Sequence, residues 1–172
     1  MKKINDWENV KASGDFARPA AGGYVCKIVD VTDTPDKEYL HIEYDFAEGE
    51  FKNYWFETAS KFGWWGGDFY RSYKDSAAGM FKAFTNAVEG SNPGYKWAWE
   101  EDTLRDKVIG LVLGEKEYVK NDGSIGTRLE VRSVKTVEDI REGRFRVPEL
   151  KKLEEKDTVQ DSFTAIDDAV PF

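Results

Sequence analysis

The chain has 172 residues, 40% of them hydrophobic and 15% aromatic, enough for a single domain with a sizeable core. A lone Cys26 and a lone His41 exclude an intramolecular disulfide and a zinc site of the Cys/His type. A net charge of −8 argues weakly against contact with nucleic acid.

Residues 1–20 are mixed, carry Gly and Pro, show no period, and read as an irregular arm. Gly22 and Gly23 open a first strand over residues 24–31, rich in β-branched side chains, followed by a loop over 32–37. Residues 39–46 alternate, with Leu40, Ile42, Tyr44 and Phe46 on one face and Tyr39, His41, Glu43 and Asp45 on the other, which predicts a second strand. A tight turn over 47–49 leads into residues 51–57, read as a third strand paired with the second as a hairpin. Residues 58–74 are dense in Trp, Tyr, Phe and Gly. A helix follows: Asp75 or Ser76 caps it, Ala77, Met80, Phe81, Phe84, Ala87 and Val88 share one face, and Gly90 is placed to end it. Beyond Trp97 and Trp99, residues 107–119 read as a long strand bent or bulged at Gly110 and Gly114. Asn121-Asp122-Gly123 is a turn, and residues 125–134 return as the fifth strand.

Five strands with one helix between strands 3 and 4, and glycines in strand 4, predict a mainly β fold: the five-stranded Greek-key barrel of the OB-fold over residues 21–146. Another small α+β sheet protein is the rival. Residues 147–172 hold seven acids and three lysines, half of the total net charge, and include a stretch (149–160) with no aromatic residue; they read as a disordered acidic tail. The tail finishes on Asp167, Asp168, Ala169, Val170, Pro171 and Phe172. An aromatic ring, a carboxylate and a backbone stiffened by proline form a detachable ligand for a partner's pocket, with two side-chain acids to attract a basic rim.

OB barrels bind oligonucleotides across strands 2 and 3 and the loops between strands 1 and 2 and strands 4 and 5, here residues 32–37 and 120–125. The expected stacking platforms on strands 2 and 3 are Tyr39, Phe51 and Trp55, beside His41 and Asn53. Residues 61–74 interleave Trp64, Trp65, Tyr70 and Tyr73 with Lys61, Arg71 and Lys74, a pattern that suits bases on rings and phosphates on cations. A body that is itself slightly acidic needs a local positive field, and Lys27, Lys52, Arg128 and Arg132 join those three cations as its candidates. A phosphate-binding GxxxxGK[ST] loop and a nucleophile motif are lacking, and the scattered acids form no recognisable metal motif. The expectation is a binding protein rather than an enzyme, with no catalytic residue, metal or cofactor. No apolar run approaches a membrane span, and the opening MKKINDWENV lacks a signal peptide's apolar core. A cytoplasmic location, with no membrane contact, is expected.

The terminal DDAVPF resembles the acidic, Phe-ending tip of bacterial single-stranded DNA-binding proteins, and residues 22–57 (GGYVCKIVDVTDTPDKEYLHIEYDFAEGEFKNYWFE) resemble the start of the phage-encoded members found in Gram-positive hosts. The resemblance implies an OB-fold that coats single-stranded DNA without sequence preference. It also implies a tip, carried over onto Asp167, Asp168, Pro171 and Phe172, that recruits replication, recombination and repair enzymes. The N-terminal arm, the Trp-rich segment and the short linker depart from the ordinary bacterial pattern, which leaves a homo-oligomer open. Two other classes stay open as well: a carbohydrate-binding OB module, and an acidic adaptor or DNA mimic that binds only proteins.

Overall fold

The structure, a computed structural model, describes residues 1–10 and 17–153. Its elements in chain order are β1 (Gly22–Thr34), β2 (Tyr39–Phe46), α1 (Tyr54–Phe62), β3 (Asp68–Ser72), α2 (Ala78–Ser91), β4 (Val108–Val119), β5 (Ile125–Lys135) and α3 (Val137–Arg141). The strands form one antiparallel five-stranded sheet in the order β3-β2-β1-β4-β5. The sheet is mainly β in character and open, with hydrogen bonding absent between β3 and β5.

The register shows how one strand serves both halves of the sheet. The first part of β1 pairs with β4 (Gly22 opposite Leu113, Lys27 opposite Val108), while its second part pairs with β2 as far as Thr34 opposite Tyr39. An extra residue, Val29, interrupts the β1–β2 ladder between Ile28 and Asp30, the kind of bulge that bends and twists a strand. Cys26, Ile28, Val31, Leu40, Ile42, Tyr44, Phe46, Phe69, Ile109, Leu111 and Leu113 line the inner face, and all are buried. Helix α2 closes that core with Phe81, Phe84, Ala87 and Val88, as its 3.6-residue spacing predicts.

Other expectations fail. Residues 51–57 are not a strand: α1 begins at Tyr54, and the edge strand beside β2 is β3 at Asp68–Ser72. A capping carboxylate on the preceding strand decides this. Asp45, on β2 and buried, accepts the N–H groups of Phe46 (2.9 Å), Trp55 (2.9 Å) and Phe56 (3.0 Å), so it satisfies two of the first-turn donors that an α-helix leaves unpaired. The local N-cap, Asn53, adopts φ 64° and makes no side-chain cap. Burial pushes the Asp45 carboxyl above its ordinary range despite these three bonds. Gly90 does not end α2, which runs on to Ser91; Asn92 then ties the helix end to β4 by donating to the carbonyls of Val88 (2.7 Å) and Val108 (2.8 Å). Met80, expected in the core, is exposed.

The outer side of the sheet is closed at its centre by α3, which the sequence reading missed. Thr136 caps it by accepting the Asp139 N–H at 3.1 Å. Ile140 and the carbonyl of Thr136 sit where a Cβ on Gly110 would fall, and Phe145 and Ile140 do the same at Gly23. Gly110 is therefore a place of close approach for a strap, and the ladder's irregularity lies between Val112 and Leu113 instead.

Candidate nucleic-acid interface

Strand parity leaves two stretches of the outer face uncovered by the strap. The first lies on β2 and β3. His41 is opposite Tyr70 in the register, and their rings approach to 4.7 Å at 33°; the Tyr39 ring meets Tyr70 edge-on at 5.1 Å. Three half-buried rings thus form a short ladder across two strands. The His41 Nε2 lies 2.7 Å from an oxygen of Asp68, which fixes the imidazole beside Tyr70. Partial burial, with Asp68 nearby, raises the Tyr70 hydroxyl's pKa, so the phenol stays neutral and serves as a hydrogen-bonding ring. Of the predicted platforms, Tyr39 and Tyr70 come together here. The surrounding charge is acidic: Asp30, Glu43 and Asp68 share this side of the sheet.

The second open stretch is the β4–β5 ribbon, which runs past the end of β1 because β1 pairs with β4 only as far as Leu113. Lys116 is opposite Arg128 and Tyr118 opposite Gly126, so these side chains share one face, with Lys120 following at the same parity. Glu115, Glu117, Val119, Ile125 and Thr127 take the other face. The arginine head of Arg128 lies over the Tyr118 ring at 5.7 Å from its centre. Gly126 leaves the space that the Tyr118 ring and the Lys120 stem fill, because a Cβ there would meet the Lys120 Cε at 2.5 Å. Glu130 is the acid on the cationic face, and it is held by Arg132 (2.6 Å) and Lys151 (3.1 Å). Lys151 reaches it because residues 149–153 return along the free edge of β4, where the Glu117 N–H donates to the Lys151 carbonyl and the Lys151 N–H to the Glu115 carbonyl, both at 2.9 Å. The result is a charge-sorted ribbon: Lys116, Lys120 and Arg128 carry no ion pair among the described residues, and a tyrosine lies between them.

The remaining predicted residues scatter. Trp55, in the first turn of α1, is 8% exposed and packs against Tyr54 and Trp64, so it is a core residue and no platform. Phe51 is half-buried against Tyr24, Phe46 and Tyr54. Arg71 points inward beside Leu40, over the Phe69 ring at 5.0 Å; burial lowers its pKa to about 10. Tyr73 turns toward the core, its hydroxyl donating to Asp33 at 2.7 Å and its ring edge on Phe81. Trp65 is anchored by its indole N–H on the Gly67 carbonyl at 2.9 Å, whereas Trp64 stays 55% exposed. Lys27, Lys52, Lys61 and Lys74 are exposed, on different elements. Arg132 is committed to Glu130 and to the Glu115 carbonyl. The tip residues Asp167, Asp168, Ala169, Val170, Pro171 and Phe172 lie outside the described residues.

Sequence reading named Arg128 and Arg132 on the ribbon, took in Lys120 only as the start of the 120–125 loop, and passed over Lys116 and Tyr118. The signal was present: Glu115-Lys116-Glu117 alternates in sign, and a period of two sorts such charges onto opposite faces once the segment is a strand. Among the described residues no group of three or more His, Cys, Asp or Glu side chains could hold a metal ion, and no helix is long and apolar enough to cross a membrane. Compared with protein-family models the chain matches none, and compared with curated proteins it finds no relative.

Proposed function

We propose that this chain binds single-stranded DNA without sequence specificity, on an OB-type barrel. The observation that carries the reading is the sorted face of the β4–β5 ribbon, where Lys116, Lys120 and Arg128 flank Tyr118. Cations at two-residue spacing along a strand follow a phosphate backbone, and a ring among them offers a base its π-face. The ladder of Tyr39, Tyr70 and His41 is the second stacking surface. The sheet order supports the barrel: β3-β2-β1-β4-β5, with the helix α2 joining β3 to β4, is the OB connectivity, and closing β3 onto β5 would complete it. The role is protection of single strands during phage DNA replication, recombination and repair in the bacterial cytoplasm, with partner enzymes recruited through the acidic tip.

A second reading, an acidic adaptor or DNA mimic, draws on Asp30, Glu43 and Asp68 on the outer face of β1, β2 and β3. Titration of a labelled oligo(dT) with the protein at low salt, followed by fluorescence anisotropy, separates the two. A DNA binder raises the anisotropy, and its affinity falls as salt rises; a mimic gives no response. Equal affinity for duplex DNA refutes the single-strand reading.

A further inference from the structure

Beyond the end of β1, the edge of β4 is met by the chain's own later segment. Lys151 forms a parallel bridge opposite Lys116, made by two main-chain bonds at 2.9 Å: the Lys151 N–H donates to the Glu115 carbonyl, and the Glu117 N–H to the Lys151 carbonyl. On its other side β4 is paired with β5 continuously from Gly114 to Val119. A strap held by two bonds opens far more readily than that ladder, so residues 149–153 belong to the least stable part of the ribbon.

The strap brings a third cation into line. Lys116 is opposite Arg128 on β5 and opposite Lys151 on the strap, so three positive residues occupy one row on adjacent strands, about 4.8 Å from one to the next. The Lys151 ammonium reaches Glu130, which is opposite Gly114 on the cationic face, so Lys151 presents its charge on the same face as Lys116 and Arg128. Like charges directly opposite one another destabilise a sheet. Glu130 offsets this at one end of the row only, and it is shared between Lys151 at 3.1 Å and Arg132 at 2.6 Å. Lys116 and Arg128 have no ion pair among the described residues. The Lys151 side chain is 56% exposed, and an ammonium with one proton on Glu130 keeps two for another acceptor. Such a row resists its own closure until an extended anion lies across it.

We propose that residues 149–153 are a third strand of the phosphate-binding face, and that a phosphate chain laid across Lys151, Lys116 and Arg128 locks this strap onto β4. That the phosphate chain is single-stranded DNA rests on the reading above. Binding and strap closure are then linked: the closed strap supplies a cation and raises affinity, and DNA favours closure by the same factor. The amides of Lys151 and Glu117 report closure directly, since each is bonded only across the strap bridge.

The test uses the full chain, in fluorescence anisotropy of a labelled oligo(dT) and in hydrogen exchange with saturating oligo(dT) or, separately, inorganic polyphosphate. Lys151→Ala is expected to weaken oligo(dT) about fivefold, the lower end for linked sites, and to lower the salt slope by about 0.7; Lys151→Arg should keep both. Saturating oligo(dT) should slow exchange of the Lys151 and Glu117 amides by about the same factor in the wild type, and leave Glu117 unchanged in Lys151→Ala. Lys151→Ala should weaken binding in a Glu130→Gln background as well, because the lysine contacts phosphate and does more than screen that carboxylate. Oligo(dT) that binds the wild type without slowing these two amides would overturn the proposal, as would a Lys151→Ala effect that vanishes beside Glu130→Gln. If no oligo binds, the DNA reading falls and polyphosphate decides: slowed exchange at the same amides keeps the strap as part of a phosphate site, and unchanged exchange removes it.

Discussion

Replacing Lys116, Lys120 and Arg128 by Ala together should flatten the salt dependence of DNA binding. Each of these cations is on the ribbon face, none is held by a carboxylate among the described residues, and each is therefore available to one phosphate. Single strands lose about 0.7 of a unit of slope, in log affinity against log salt, for each phosphate contact removed, so the triple variant loses about 2. Between 50 and 200 mM salt, a fourfold change, that slope corresponds to roughly a 16-fold difference in how far affinity falls. The assay is fluorescence anisotropy of a labelled oligo(dT) at four or five salt concentrations, with thermal unfolding to confirm that the ribbon still folds. Arg132→Ala is the internal comparison: its guanidinium is committed to Glu130 at 2.6 Å and to the Glu115 carbonyl, so it should change the slope less than any of the three. A triple variant with unchanged slope, or a larger effect from Arg132, refutes the assignment of this face.

Tyr70→Ala should weaken oligo(dT) binding by about 1–3 kcal/mol, the range for one base stacked on a ring, and Tyr39→Ala somewhat less, since its edge already rests on Tyr70; equal affinity by the same titration counts against the ladder. Trp55→Ala should cost about 3–5 kcal/mol of stability in denaturant unfolding, as a buried ring does, whereas Trp64→Ala should leave stability nearly unchanged; the reverse order would mean that the core has been misplaced. Asp45 gives a pH prediction. Its folded pKa is raised above 3.8, so the native state holds the proton more tightly than the unfolded chain, and the group's contribution is present in acid and lost as pH rises through the folded pKa. Asp45→Asn should therefore remove part of the fall in stability above pH 4, measured by unfolding at stepped pH; a wild-type advantage that grows with pH would reverse the sign. Removing residues 167–172 should leave oligo(dT) affinity intact or slightly higher at low salt and abolish capture of host replication and repair enzymes; lost affinity, or undiminished capture, would show that the tip is something else.

The strands that alternate were legible because burial on one side writes itself into the period. Leu40, Ile42, Tyr44 and Phe46 marked β2 to the residue, and Phe81, Phe84, Ala87 and Val88 marked the buried stripe of α2. Residues 51–57, with four aromatic side chains, read as a strand, yet a helix begins at Tyr54. What decides the conformation there is Asp45, ten residues before Trp55 on the preceding strand, whose carboxylate fixes the first turn, together with a pocket for the Trp55 ring over Gly66 and Gly67. A pairwise tertiary contact of this kind leaves no periodic trace. The same shift moved Trp55 from the surface to the core and slid β3 to Asp68–Ser72, which is why Tyr70 rather than Phe51 completes the ring ladder.

The charge problem resolves by geometry rather than by composition. Net charge governs long-range steering, but a strand of DNA within a few ångströms responds to the face it touches, because at physiological ionic strength the field of other groups decays over about 8 Å. On the ribbon, Glu115 and Glu117 point away from the face that presents Lys116, Tyr118 and Lys120, so the acids that lower the net charge stand behind the cations and not among them. Glu130, on the cationic face, is neutralised twice over, by Arg132 and by Lys151. Lys151 does this as the last described segment meets the edge of β4, and in sequence the six acids of residues 154–172 begin three residues beyond that bridge. On the proposed reading, a protein of net charge −8 in this way offers phosphate a locally positive, ring-bearing edge, and binding depends on a few side chains of that face rather than on the sum of fifty-eight.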